Sequence, residues 1–383
     1  MSGGARRCAT EQQPVGGASV ISQALLDVVR CPDCRGAMRA ESDELVCAVC
    51  GRRTRVTGRE YLDLRPVETF VQSTKYLDDE MHADGRHAHV TPPLLTAAIR
   101  NDMLRSFLRI AAGDRVIDLG CGSGRVLVWN LAPDVHLVGV DVSPHFAEEA
   151  LDRCDLLVGD LRQLPLEDGA FTRAYSLDVL EHLSREDLLR MLGEASRILS
   201  PGGTFFVYSH VRKNSRIAIG LRAINLLARG LERIGLLDLS HERLRKSDHR
   251  NALADIDDLH TVAGQAGFRV ARIRYYTPLV GGFAENILKK MAEHLMERRA
   301  ARRRGNSGEP SAESPGAVGA RRTARTDAQR LIGNRGAVYT GLVALTWLMK
   351  LDLLLFGRIK SGPFFALLER LPTPAVGSTT TPH

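Results

Sequence analysis

The chain has 383 residues, more than a single compact core usually holds, and its 44% hydrophobic and 25% charged residues exclude a disordered or fibrous protein. Its formal charge of +7 sits in one place: ten arginines (298, 299, 302, 303, 304, 321, 322, 325, 330 and 335) against Glu309, Glu313 and Asp327 account for all of it. The remainder of the chain is neutral, which excludes a basic surface spread over the whole molecule, as general nucleic-acid binding requires.

Residues 1–22 are polar and Gly-rich and read as a disordered N-terminus. No apolar run follows Arg6 and Arg7, so a secretory signal is not expected. Cys31-Pro-Asp-Cys34 is followed, after twelve residues, by Cys47-Ala-Val-Cys50. Each C-x-x-C sets two thiolates on one turn, and two such turns on a hairpin complete a tetrahedral four-sulfur site. A structural zinc ribbon is expected over 23–66, with Cys31, Cys34, Cys47 and Cys50 as ligands, in a reducing cytoplasmic setting. The polar segment 70–93 carries Tyr76, His82, His87 and His89 without a catalytic ligand set; it reads as a mobile lid with Tyr76 as its contact residue. A helix over 96–111 follows.

Arg115-Val-Ile-Asp118-Leu-Gly120-Cys-Gly122-Ser-Gly124-Arg125 is an apolar strand, a glycine turn and a helix start. Glycines there let backbone N–H groups approach a ligand. The spacing is D-x-G-x-G-x-G and does not contain the G-x-G-x-x-G of dinucleotide-binding enzymes. The strand His136–Asp141 ends in an acid placed to accept both hydroxyls of a ribose. Leu156–Asp160 repeats that pattern, with Asp160 and Leu161 suited to an adenine. Ala174–Leu183 reads as a fourth strand and turn, Leu188–Leu199 as an amphipathic helix, and Thr204–Ser209, after Pro201-Gly202-Gly203, as a fifth strand. Alternation at this spacing implies a parallel α/β sheet with right-handed crossovers.

The successive texts VIDLGCGSG, GVDVS, GDLRQLP, SLDVLEHL and RILSPGGTFFV resemble the ordered motifs of class I S-adenosylmethionine-dependent methyltransferases of the type 11 kind. The likeness covers about residues 95–210. The text around the cysteine pairs, about residues 25–65, resembles the Trm112-like zinc ribbons that precede or partner certain methyltransferases. The resemblance implies a Rossmann-like seven-stranded sheet. It implies Asp118, Gly120, Gly122 and Gly124 around the methionine end of the cofactor, Asp141 on its ribose, and Asp160 with Leu161 on its adenine. Methyl transfer needs positioning, and a base where the nucleophile is protonated; His182 and His210 are the candidates, and Asp178 a lesser one.

Downstream, 214–237 is an apolar helix pattern with interspersed arginines, read as core-facing and placed to cap the substrate mouth. A helix over 255–267 and a sixth strand from Phe268 complete a catalytic domain of 67–277. The last strand is matched best by residues 363–371, which leaves 278–362 as an insertion. This holds a helix over 284–304, the Arg-rich linker 298–335 and an apolar helix 336–356, with 363–383 as final strand and tail. Two readings of 336–356 stay open: packing on the catalytic domain, or lying in a membrane interface beside the arginines.

Three functions follow. The first is methyl transfer to a small, apolar or lipid-linked acceptor by a cytoplasmic protein peripheral to the inner membrane face. The second is methylation of an rRNA base, disfavoured by scarce aromatics and the absence of N-P-P-[YF] after the fourth strand. The third is a non-catalytic adaptor that binds zinc and the cofactor.

Overall fold

The computed structural model describes residues 21–56, 61–66, 89–211, 218–237, 239, 250, 252–276, 279–303, 336–360 and 362–372. Within the described residues, Ile21 is buried, and the hydroxyl of Ser22 accepts the Leu25 amide and caps α1 (Gln23–Val28). These two residues therefore belong to the folded body and not to a disordered terminus. The antiparallel strands β1 (Met38–Glu41), β2 (Glu44–Cys47) and β3 (Arg53–Arg55) make the ribbon's small sheet.

A second boundary also moves. β4 (Leu62–Asp63) leaves the ribbon and pairs in parallel with β7 as an edge strand of the main sheet. Two residues are too few to show a strand period in sequence. The main sheet thus has eight strands among the described residues, where seven were expected.

The rest of that sheet follows the sequence closely. Helix α2 (Thr96–Leu108) precedes β5 (Arg115–Leu119), and the glycine turn leads into α3 (Arg125–Trp129). Then come β6 (His136–Asp141), α4 (Glu148–Leu151), β7 (Asp155–Val158) and β8 (Phe171–Leu177). A 3₁₀ turn, Leu180–His182, and α5 (Arg185–Ile198) lead to β9 (Leu199–His210). The Pro201-Gly202-Gly203 turn is absorbed into β9, where the register with β8 jumps from Phe171↔Leu199 to Arg173↔Thr204.

Beyond β9 lie α6 (Ala218–Arg233), α7 (Ile256–Gln265) and β10 (Phe268–Tyr275). A helical run follows as α8 (Leu279–Phe283), a π-helical stretch Ala284–Lys289 and α9 (Lys290–Arg303). Helix α10 (Ala337–Phe356) and β11 (Pro363–Arg370) complete the described chain. The strand order is β10-β11-β9-β8-β5-β6-β7-β4. β11 inserts antiparallel between β9 and β10, so the last strand closes the sheet across the long insertion.

Two features of the insertions differ from or refine the expectation. Among its described side chains, α6 buries Ala228 and half-buries Ile224 and Leu231 but leaves Leu226 and Leu227 exposed, as is Ile234 just beyond it. Helical period alone cannot say which face meets a partner. Of the two readings left open for α10, the packing on the catalytic body is seen. It buries Thr346, Met349 and Asp352 against the catalytic body and leaves its opposite face bare.

Candidate functional site

The glycine turn between β5 and α3 is shaped by backbone no other residue adopts freely. Gly120 has φ of 86° and Gly124 of 76°. A Cβ at Gly120 would lie 2.4 Å from Val179 Cγ2, and one at Gly124 would lie 2.6 Å from the Ala150 Cβ. The Gly120 contact joins the glycine turn to the turn after β8. Above Gly122 there is open space.

Asp141, at the carboxyl end of β6, closes this cradle. Its Oδ2 accepts the Gly122 amide at 2.7 Å and its Oδ1 accepts the Ser143 amide at 3.0 Å. These two amides hold the carboxylate in one orientation beside the cradle. Asp118 lies on the neighbouring strand, 2% exposed. Burial pushes its carboxyl well above the usual range, the Asp141 charge adds to that, and the Tyr175 phenol works against both. A carboxyl so placed gains by receiving a cation or a hydrogen-bond donor. The cradle, the fixed acid and the buried carboxyl fit S-adenosylmethionine's ribose and its ammonium group.

Asp160 and Leu161 sit on the loop after β7. The Asp160 carboxylate accepts from Arg162 Nε at 2.9 Å and Nη2 at 2.7 Å, and Arg162 reaches on to Asp187 at 3.2 Å. Asp160 therefore carries an ion pair within its own loop, while Leu161 packs against the main core.

The second cluster lies at the ends of β8 and β9. The Asp178, Glu181 and His210 ligand atoms all fall within 4.8 Å of one another. Glu181, 2% exposed, accepts from Ser209 Oγ at 2.7 Å and stands 3.5 Å from His210 Nδ1. Burial opposes its charge, but His210 and Ser209 outweigh burial and hold the carboxyl down to about 2. Asp178 has φ of 59°, a left-handed conformation that costs a non-glycine residue about 1 kcal/mol. Its carboxylate is paired with Arg100 of α2, whose guanidinium also lies 4.4 Å above the Tyr208 ring. His182 is half-buried on the 3₁₀ turn, outside this cluster.

The four cysteines converge at the other end of the chain. Cys31 and Cys50 sulfurs are 3.6 Å apart, Cys34 and Cys47 3.4 Å, and all four lie within 4.8 Å. Against its burial, the Cys50 and Val49 amides draw the Cys47 thiol down to about 6. Four convergent sulfurs with amide support are a donor set suited to a tetrahedral zinc ion.

Sequence reasoning missed Arg100, because a helix upstream of the motifs carries no mark of the side chain it will meet. It also missed Glu181 as a partner of His210, although E-H text and a strand-end histidine were both visible. Tyr76, His82 and His87 lie outside the described residues. His89 stands 3.6 Å from both Glu148 and Glu149.

Residues 117–207 match the family described as "Methyltransferase domain". The chain is similar to sterol 4-C-methyltransferase strm-1 of Caenorhabditis elegans, at 28% identity over 34% of this chain and 43% of that protein. It is similar to "Probable tRNA methyltransferase 9B" of Mus musculus, at 37% identity over 25% of this chain and 22% of that protein. It is also similar to 27-O-demethylrifamycin SV methyltransferase of Amycolatopsis mediterranei, at 34% identity over 27% of this chain and 40% of that one. The chain spans less than half the length of each of these relatives.

Proposed function

We propose that the class I S-adenosylmethionine-dependent methyltransferase domain of this chain moves a methyl group to a small, apolar or lipid-linked acceptor. The observation that carries this reading is the join between the two clusters. Val179 packs against Gly120, so the cofactor cradle and the turn bearing Glu181 lie side by side. The names of two of the matched relatives, a sterol and a rifamycin methyltransferase, support an apolar acceptor.

S-adenosylmethionine, when bound, supplies an electrophilic methyl group on a sulfonium. Asp141, oriented by its two amides, would hold the ribose hydroxyls, and Asp118 would face the ammonium end. His210 is the base: its Nε2 takes the proton of an acceptor hydroxyl or amine, while Glu181 on the Nδ1 side orients the ring and balances the charge it acquires. Arg100 fixes Asp178 and covers Tyr208, shaping the wall on the acceptor's side. The four cysteines would hold a structural zinc ion, which would serve folding and take no part in transfer.

The test uses S-adenosylmethionine labelled in its methyl group, incubated with total lipid extract and, separately, with total RNA. Label in the organic phase, lost on His210→Ala, is the expected result. Label only in the RNA arm would overturn the small-molecule reading.

A further inference from the structure

We infer that the bare face of α10 docks on an anionic lipid bilayer, with the helix lying along the surface and the catalytic body standing above it. The inference goes beyond methyl transfer and does not depend on it.

α10 has 20 residues, about 30 Å of helix at the usual rise. Its outward stripe runs through Ala344, Trp347, Leu348, Leu351, Leu354 and Leu355, all exposed, with Trp347 at 66% and Leu354 at 72%. A continuous apolar stripe of this kind is uncommon on a soluble monomer and marks a contact surface. Three of the helix's polar side chains turn to the body, while the exposed Thr340, near its amino-terminal end, donates to the Gly336 carbonyl within the helix. Asp352 accepts the Val280 and Gly281 amides at 3.1 and 2.8 Å, and Thr346 accepts the Leu95 amide at 2.8 Å. Lys350 pairs with Asp102 at 2.6 Å and lies 4.5 Å above the Trp347 ring. These bonds fasten α10 lengthwise to the body, so it lies on a bilayer and does not cross one.

Charge selects the occupant. The segment 298–335, which carries the chain's whole net charge of +7, runs from α9 to the start of α10. Arg358 and Lys360 lie exposed just past the other end. Basic residues at both ends of an apolar helix match anionic headgroups around an acyl layer, with Trp347 suited to the boundary. A second copy of the chain carries the same net charge of +7, and repulsion between like-charged chains disfavours that occupant. The route to the site is short in the fold. α2 and the residue before it give Leu95 and Asp102 to α10 and Arg100 to the acceptor wall.

The experiment is co-sedimentation of the full chain with phosphatidylcholine vesicles, with and without phosphatidylglycerol, at low and high salt. Binding is expected with phosphatidylglycerol, weakened at least about tenfold by high salt. A Leu351→Glu/Leu355→Glu variant should lose binding at least about tenfold, with its unfolding temperature and cofactor affinity unchanged, because both positions are exposed. Brominated phosphatidylglycerol should quench Trp347 but not Trp129, whose Nε1 donates to Thr91; a Trp347→Phe variant should lose the quenching, which keeps the test open if the double variant misfolds. A protein that stays in the supernatant with every vesicle overturns the inference, as does double-variant binding equal to wild type. A dimer in sedimentation velocity that Leu351→Glu/Leu355→Glu splits would give the face to a second copy instead. Methyl transfer that persists in detergent while vesicle binding fails would leave the proposed function standing without the docking.

Discussion

Glu181 concentrates the chemistry of the acceptor side in one carboxylate. It is buried, yet Ser209 and His210 hold it ionised, with a carboxyl value near 2 instead of the usual 4.5. A carboxylate depressed on folding contributes stability that is complete above its unfolded value and is lost as pH falls through its folded value. Glu181→Gln should therefore cost about 2 kcal/mol at neutral pH, and the difference from wild type should shrink as pH falls from about 4.5 towards 2. Thermal unfolding of both proteins across that range checks this; a gap independent of pH would contradict it. At this scale the sequence was partly readable. Asp141 and His210 could be named because a strand-end residue needs no partner to be recognised. Glu181 acquires its character from the β8–β9 pairing, and Arg100 reaches Asp178 across 78 residues, which no local pattern encodes.

Among the elements, the cysteine ribbon does more than precede the catalytic domain. Leu25, Val28, Val29 and Leu45 lie in the same core as the sheet residues Ile117, Val138 and Leu157. Gln163 donates to the Pro32 carbonyl at 2.6 Å, and Arg35 pairs with Glu194 at 2.7 Å. Loss of the four-sulfur site should therefore reach the sheet. A strong zinc chelator, or Cys34→Ser, should lower the unfolding temperature of the whole chain by at least about 5 °C. Calorimetry that shows the ribbon melting alone, with the main transition unmoved, would contradict a shared core. Sequence spacing revealed the four ligands but misplaced the ribbon's end, because β4 is a two-residue strand with no period to read. The reverse held for β11: the last strand that the resemblance implies found its best match in the apolar run 363–371, since a buried strand keeps its apolar residues whatever the length of the insertion before it.

Over the whole molecule, charge and apolar surface are segregated. The ribbon and sheet are electrically balanced, while the net charge of +7 lies in one segment that joins two helices of the insertion. The parallel sheet followed from the alternation of apolar runs and helices, and the cofactor cradle from its glycines. The orientation of α6 and α10 did not, because an apolar helix has the same composition whether its partner is protein or lipid. The cradle remains the part on which the account rests. Titration calorimetry with S-adenosylmethionine tests it most directly. One site per chain is expected, with Asp141→Ala weakening affinity at least about tenfold, since it removes both hydroxyl acceptors and the anchor of the Gly122 amide. Absence of binding, or equal affinity in Asp141→Ala, would contradict the assignment.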